Sequence, residues 1–154
     1  IREAQLFTAQ RVPATAVIVT TDVGEAKDIH PKKKEPVGGR LALAARALAY
    51  GEKLEYSGPM FGALKLEGAR AIMSFTHVGG GLEARGGELK GFSVAGADRK
   101  FVSATAKIEG DKVVVTAAAV SQPEVVRYAW EFVPDVNLFN RAGLPASPFR
   151  TDRQ

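Results

Sequence analysis

In FVSATAKIEGDKVVVTAAAV, residues 101–120, apolar and polar side chains alternate on both sides of Gly110-Asp111. That pattern leaves the chain little choice. Two alternating runs joined by a two-residue turn form a β-hairpin, and a lone hairpin is marginal in water without further strands. Val102, Ala104, Ala106 and Ile108 share one face, opposite Ser103, Thr105, Lys107 and Glu109. Residues 69–78, 89–96 and 124–132 supply further candidate strands, separated by glycine-rich turns such as HVGGGLEARGG. In the last of these, Val126, Tyr128, Trp130 and Phe132 fall on one face, the expected core face. Five to seven short strands with frequent turns predict an all-β, sandwich-type domain over residues 53–154.

Residues 1–52 have another texture. The opening REAQLFTAQR predicts a helix over 2–11, stopped near Pro13. TAVIVTTD, residues 15–22, is a β-branched apolar run suited to a buried strand of a parallel sheet. A loop over 23–34 leads into a second helix. Pro36 suits its first turn, Val37, Leu41, Ala44 and Leu48 recur at helical spacing, and Gly51 stops it. Gly38 and Gly39 each cost about 1 kcal/mol in a helix relative to alanine, which predicts a close neighbour against that turn. Helix, strand, loop and helix together read as the tail of an α/β domain, with the boundary near residues 51–59. A chain that begins inside a helical pattern, without methionine or leader, reads as a piece of something longer.

Composition narrows the chemistry. The 154 residues include no cysteine, which excludes disulfides and thiolate metal sites. No run approaches the roughly 18 apolar residues needed to span a bilayer. The formal charge is +4, and Lys32, Lys33 and Lys34 concentrate part of it. That run lacks interleaved aromatics or a groove-reading helix, so it reads as a solvated surface rather than a nucleic-acid contact.

Two histidines are present. His77, in SFTHV, has no acid or histidine at ligand spacing and reads as structural. His30, in DIHP, could simply close a turn. Its loop, however, leaves the carboxyl end of the candidate strand at 15–22, where open α/β sheets bind ligands. An imidazole there could accept and return a proton, and Asp28 could orient it. Asp22 is the alternative acid. None of the serines lies on a strand-to-helix elbow, and GFSVAG is not G-x-S-x-G.

DVGEAKDIHPKKKEPVGGRLALAARALAYG, YSGPMF, VRYAW, NLFN and GLPASPFRTD resemble the closing part of the sialate O-acetylesterase family, within the SGNH hydrolases. The resemblance implies that residues 1–52 end an SGNH-type α/β catalytic domain and that a β-sandwich follows. It implies a carbohydrate O-acetylesterase that uses a Ser-His-Asp mechanism without metal or organic cofactor. His30 would be the base and Asp28 the acid, although many SGNH hydrolases space these residues as D-x-x-H and this chain has D-x-H. The nucleophilic serine would lie in an upstream catalytic fragment. The substrate would be an O-acetylated sugar, with no nucleic-acid or membrane partner, and placement would be secreted or periplasmic. The competing expectation is a non-catalytic sandwich module that binds glycans or braces a neighbour.

Among the remaining residues, Trp130 and Tyr128 could stack on a sugar but read first as core, and Arg127 reads as a rim ion pair. Asn137 and Asn140 read as turn formers, and Lys34 as a solvated lysine.

Overall fold

The computed structural model describes residues 1–30 and 32–152. Two helices, α1 (Arg2–Arg11) and α2 (Glu35–Leu48), precede ten strands. The strands are β1 (Met60–Glu67), β2 (Arg70–Thr76), β3 (Leu82–Ala84), β4 (Phe92–Ala95), β5 (Val102–Ser103), β6 (Thr105–Glu109), β7 (Lys112–Thr116), β8 (Val125–Tyr128), β9 (Leu138–Asn140) and β10 (Phe149–Arg150). They form one antiparallel sheet in the order β1-β2-β7-β6, a second in the order β10-β8-β4-β5, and a β3-β9 pair. The chain changes sheets at Ala104, between β5 and β6, where the Ala104 N–H donates to Phe92 O.

The two larger sheets share one core. Ala71, Met73, Val113 and Val115 come from the first, and Phe92, Val94, Val126 and Tyr128 from the second. Phe149 joins them, its ring 4.8 Å from that of Phe61 and 5.8 Å from that of Tyr128. The fold is therefore mostly β and sandwich-like, as the hairpin pattern predicts. The Gly110-Asp111 turn sits between β6 and β7, with Glu109 opposite Lys112.

Burial pushes the Tyr128 phenol up, while its hydrogen bond from the Leu138 N–H acts the other way. The unfolded chain ionises this group above about pH 10 and the folded chain does not. Stability is thus expected to be complete below that pH and to fall as pH climbs beyond it, by about 1.4 kcal/mol per unit from this group. Denaturant titrations at stepped alkaline pH should show a steeper fall for the parent than for Tyr128→Phe. Parallel curves would remove Tyr128 from the account.

Four expectations need correction. Residues 15–20 take no regular element and join no ladder among the described residues. Leu41 and Leu48 face outward on α2, whose buried side chains are Arg40 and Ala44. A Cβ at Gly38 or Gly39 would meet nothing within 4 Å, so no close neighbour within this chain explains them. Finally, β8 stops at Tyr128, because Ala129 adopts a left-handed φ of 54°. The alternation breaks there, and Trp130 and Phe132 turn outward instead of into the core.

Candidate active-site loop

The loop between residues 22 and 35 is held by its own acids. Asp28 Oδ1 accepts the His30 backbone N–H at 2.8 Å, an Asx turn. Glu25 Oε1 accepts the Lys32 N–H at 3.1 Å, and Glu25 pairs with Asp28 in a short antiparallel bridge. The structure thus brings Asp28 and His30 together through a carboxylate-to-backbone bond. Both residues are solvent-exposed, and among the described residues no serine hydroxyl bonds to the imidazole. Pro31, which follows His30, lies outside the described residues. Lys34 is exposed at the start of α2.

What anchors this loop is a residue the sequence pattern did not single out. Arg40, on the inner face of α2, reaches back to the end of the 15–20 segment. Its Nη1 donates to Val19 O at 2.6 Å and to Asp22 Oδ1 at 2.7 Å, and its Nη2 donates to Asp22 Oδ2 at 2.6 Å. Both side chains are almost wholly removed from solvent. A fork-to-fork pair of this kind is geometrically demanding and strongly oriented. Asp22 is therefore committed to Arg40, and its two oxygens brace the loop's first residue rather than an imidazole. A signal was present: one arginine at helical spacing between Val37 and Ala44, and one acid at the end of an apolar run.

His77 is structural, as its sequence reads, and it has an acid partner that local spacing does not show. It lies one residue past β2, with φ 55°, and its Nδ1 is 2.7 Å from Glu55 Oε1. The Tyr56 ring meets it edge-on, with centroids 5.4 Å apart. The acid is 22 residues away in sequence, which is why local spacing could not reveal it. Asn137 and Asn140 are buried braces; Asn137 lies in no turn, and Asn140, the last residue of β9, opens a turn that the Gly143 N–H closes on its carbonyl. Asn140 Nδ2 donates to Ser57 O and His77 O, and its Oδ1 accepts the Leu144 N–H. Asn137 Nδ2 donates to Arg85 O and Glu88 O, and its Oδ1 accepts the Lys90 N–H. Arg127 forms the expected ion pair, with Asp152 at 2.5 Å. No cluster of three or more metal-ligating side chains occurs among the described residues.

No family model matches the chain. Curated relatives do. It is 27% identical to the sialate O-acetylesterase of Rattus norvegicus over 154 aligned residues, covering 90% of this chain and 28% of the relative. It is 36% identical to the Homo sapiens sialate O-acetylesterase over 72 residues, covering 44% of this chain and 14% of that protein. Among solved structures it is similar to a protein described as a novel carbohydrate acetylesterase from Xanthomonas citri. That similarity has a TM-score of 0.83 at 51% identity and covers 86% of this chain and 31% of the other. The chain spans less than a third of the length of each of these proteins. Identity of 51% along most of the chain on a similar fold, with the curated matches beside it, supports a sialate O-acetylesterase-like family for this segment.

Proposed function

We propose that the chain is part of a carbohydrate O-acetylesterase, with His30 as the general base of a serine-based ester hydrolysis. The observation that carries this reading is the 51% identity, over most of the chain, to a protein described as a carbohydrate acetylesterase. His30 has the chemistry and the access the reaction needs: an exposed imidazole on a turn fixed by Asp28. In the proposed cycle, His30 takes the proton from a serine hydroxyl as that oxygen attacks the acetyl carbonyl. The tetrahedral intermediate collapses, the sugar oxygen leaves with the proton from His30, and the acetyl group stays bound as an ester on the serine. His30 then deprotonates a water, which releases acetate and regenerates the serine. Asp28 would steady the imidazolium.

The nucleophilic serine belongs, on this reading, to a polypeptide segment outside these 154 residues. In this view residues 1–52 complete an SGNH-type α/β domain and residues 53–154 form the sandwich beside it. Two features support such a completion. Residues 15–20 are rich in β-branched side chains yet join no ladder among the described residues, and unpaired backbone with that composition invites another strand. The outer face of α2, with Gly38, Leu41, Ala42 and Ala45, is exposed and smooth enough for close packing. Enzymes that act on external glycans work outside the cytoplasm, and we place this one there.

The test is a longer protein that includes this segment, incubated with acetylated sugars while acetate release is followed. Acetate release, together with fluorophosphonate labelling of a serine outside this segment, is the expected result. Labelling that fails while acetate is still released would remove the serine mechanism, and no release from any acetylated sugar would remove the esterase.

A further inference from the structure

Trp130 is the only tryptophan in the chain, and the fold incurs strain to keep it out of the core. Continuing the β8 alternation would bury it beside Val126 and Tyr128. Instead Ala129, a residue with a Cβ, adopts φ 54° and donates its N–H to Gly91 O at 2.9 Å. Gly91 is itself left-handed at φ 81°, and a Cβ there would lie 2.5 Å from Val136 Cγ1. A non-glycine residue held in this region costs on the order of 1–3 kcal/mol, and such positions gather at ligand sites.

The outward turn puts Trp130 at the wall of an open cleft of about 570 Å³. Phe101, Ser93, Ser103 and Arg127 form part of the same lining. Arginines lie against the rings of the aromatic wall. The Arg127 guanidinium lies 3.8 Å from the Phe101 ring centroid and 6.0 Å from that of Trp130, and the Arg150 guanidinium lies 5.5 Å from the Trp130 ring. Both arginines are pinned from behind, by Asp152 and by Glu3. The Arg127 guanidinium holds the Asp152 carboxyl below its usual range, so that pair stays charged at neutral pH. A preset aromatic platform loses little entropy on binding. The charged lining is balanced: Lys90 and Arg127 against Glu131 and Asp135, with Lys90 and Asp135 paired at 2.9 Å.

We infer that this cleft binds a neutral oligosaccharide, with a sugar face on Trp130 and hydroxyl groups meeting Ser93 and Ser103. An aromatic platform bordered by small hydroxyls suits the apolar face and polar edge of a pyranose, whereas an acidic sugar would find no spare cation. The inference does not rest on the esterase reading, since every residue lining the cleft lies in the sandwich.

Because Trp130 is the sole tryptophan, its emission reports this cleft alone. Titration of the chain with neutral xylo-, cello- and manno-oligosaccharides should give a saturable emission shift with at least one series. Oligogalacturonates, which are acidic, should give none. Ser103→Arg, at an exposed position, should weaken binding about thirty-fold or more by filling the cleft. On affinity gels, Trp130→Ala should lose retardation while its thermal midpoint holds; if that variant does not fold, Ser103→Arg decides. Three outcomes overturn the inference: no emission response to any neutral series, a response only to the acidic one, or unchanged binding in the blocked variant.

Discussion

Acetate release by the longer protein is expected to fall by about three to six orders of magnitude when His30 becomes alanine, with the fold intact. The fold should survive because His30 is exposed and only its backbone N–H is bonded. The size follows from the role. Without the imidazole, neither the serine hydroxyl nor the hydrolytic water has a base, and only binding and carbonyl polarisation remain. Asp28 then separates two roles that the structure overlays. Asp28→Asn keeps an oxygen that can accept the His30 N–H but removes the charge; Asp28→Ala removes both. If Asp28 is the acid of the triad, the asparagine variant loses activity by about 10⁴. A turn-forming Asp28 would leave the asparagine variant near normal and the alanine variant impaired. Turnover by His30→Ala within tenfold of the parent, a margin of about 1.4 kcal/mol, would end the assignment of His30.

The second large effect concerns stability. Arg40→Met is expected to cost about 3–5 kcal/mol, the usual consequence of leaving one member of a buried pair without its partner. Asp22 would lose both of its guanidinium donors in a site shielded from water, and Val19 O would lose its donor. Arg40→Lys should cost less, because it keeps the charge but cannot make the two-pronged contact. Pairing Arg40→Met with Asp22→Leu should recover part of the loss, since no orphan charge remains. Denaturant unfolding followed by far-UV circular dichroism measures all three, and a loss below about 0.5 kcal/mol for Arg40→Met, the range of an inconsequential surface change, would mean that the clamp adds nothing. In the longer protein the same substitution should lower turnover by displacing the loop that carries His30.

How much of this could be read without coordinates follows the range of each interaction. Short-range signals carried well: α1 spans the residues its composition suggests, and the β6–β7 turn falls on Gly110-Asp111. Pro36 and Gly51 bracket α2. The failures sit where a distant partner decides. Ala129 turns because Gly91 offers a carbonyl, and no local propensity favours alanine with positive φ. The run at 15–22 has a strand's composition, but a strand also needs a neighbour. β1, β3, β9 and β10 escaped because they are irregular or only two or three residues long, apart from β1, whose polar outer face and register shift near Gly62 obscure the alternation. In the candidate site, the His30 turn was legible in D-I-H. The Arg40 clamp and the Glu55–His77 contact were not, since each joins residues roughly twenty positions apart.

Asn140 gives the molecule an order of assembly. Its amide joins Ser57, 83 residues earlier, to His77, 63 residues earlier. On a ribosome adding about 5–20 residues per second, those two carbonyls are made several seconds before the side chain that ties them together. Until Asn140 has emerged, the β1–β2 hairpin lacks this tie and the later strands that pack on it, and its inner apolar face stays open to other chains. Closure of such distant contacts is the slow part of folding a β protein. The interval before Asn140 arrives is when this chain is most exposed to misassembly, and a slow codon stretch placed before it would lengthen that hazard.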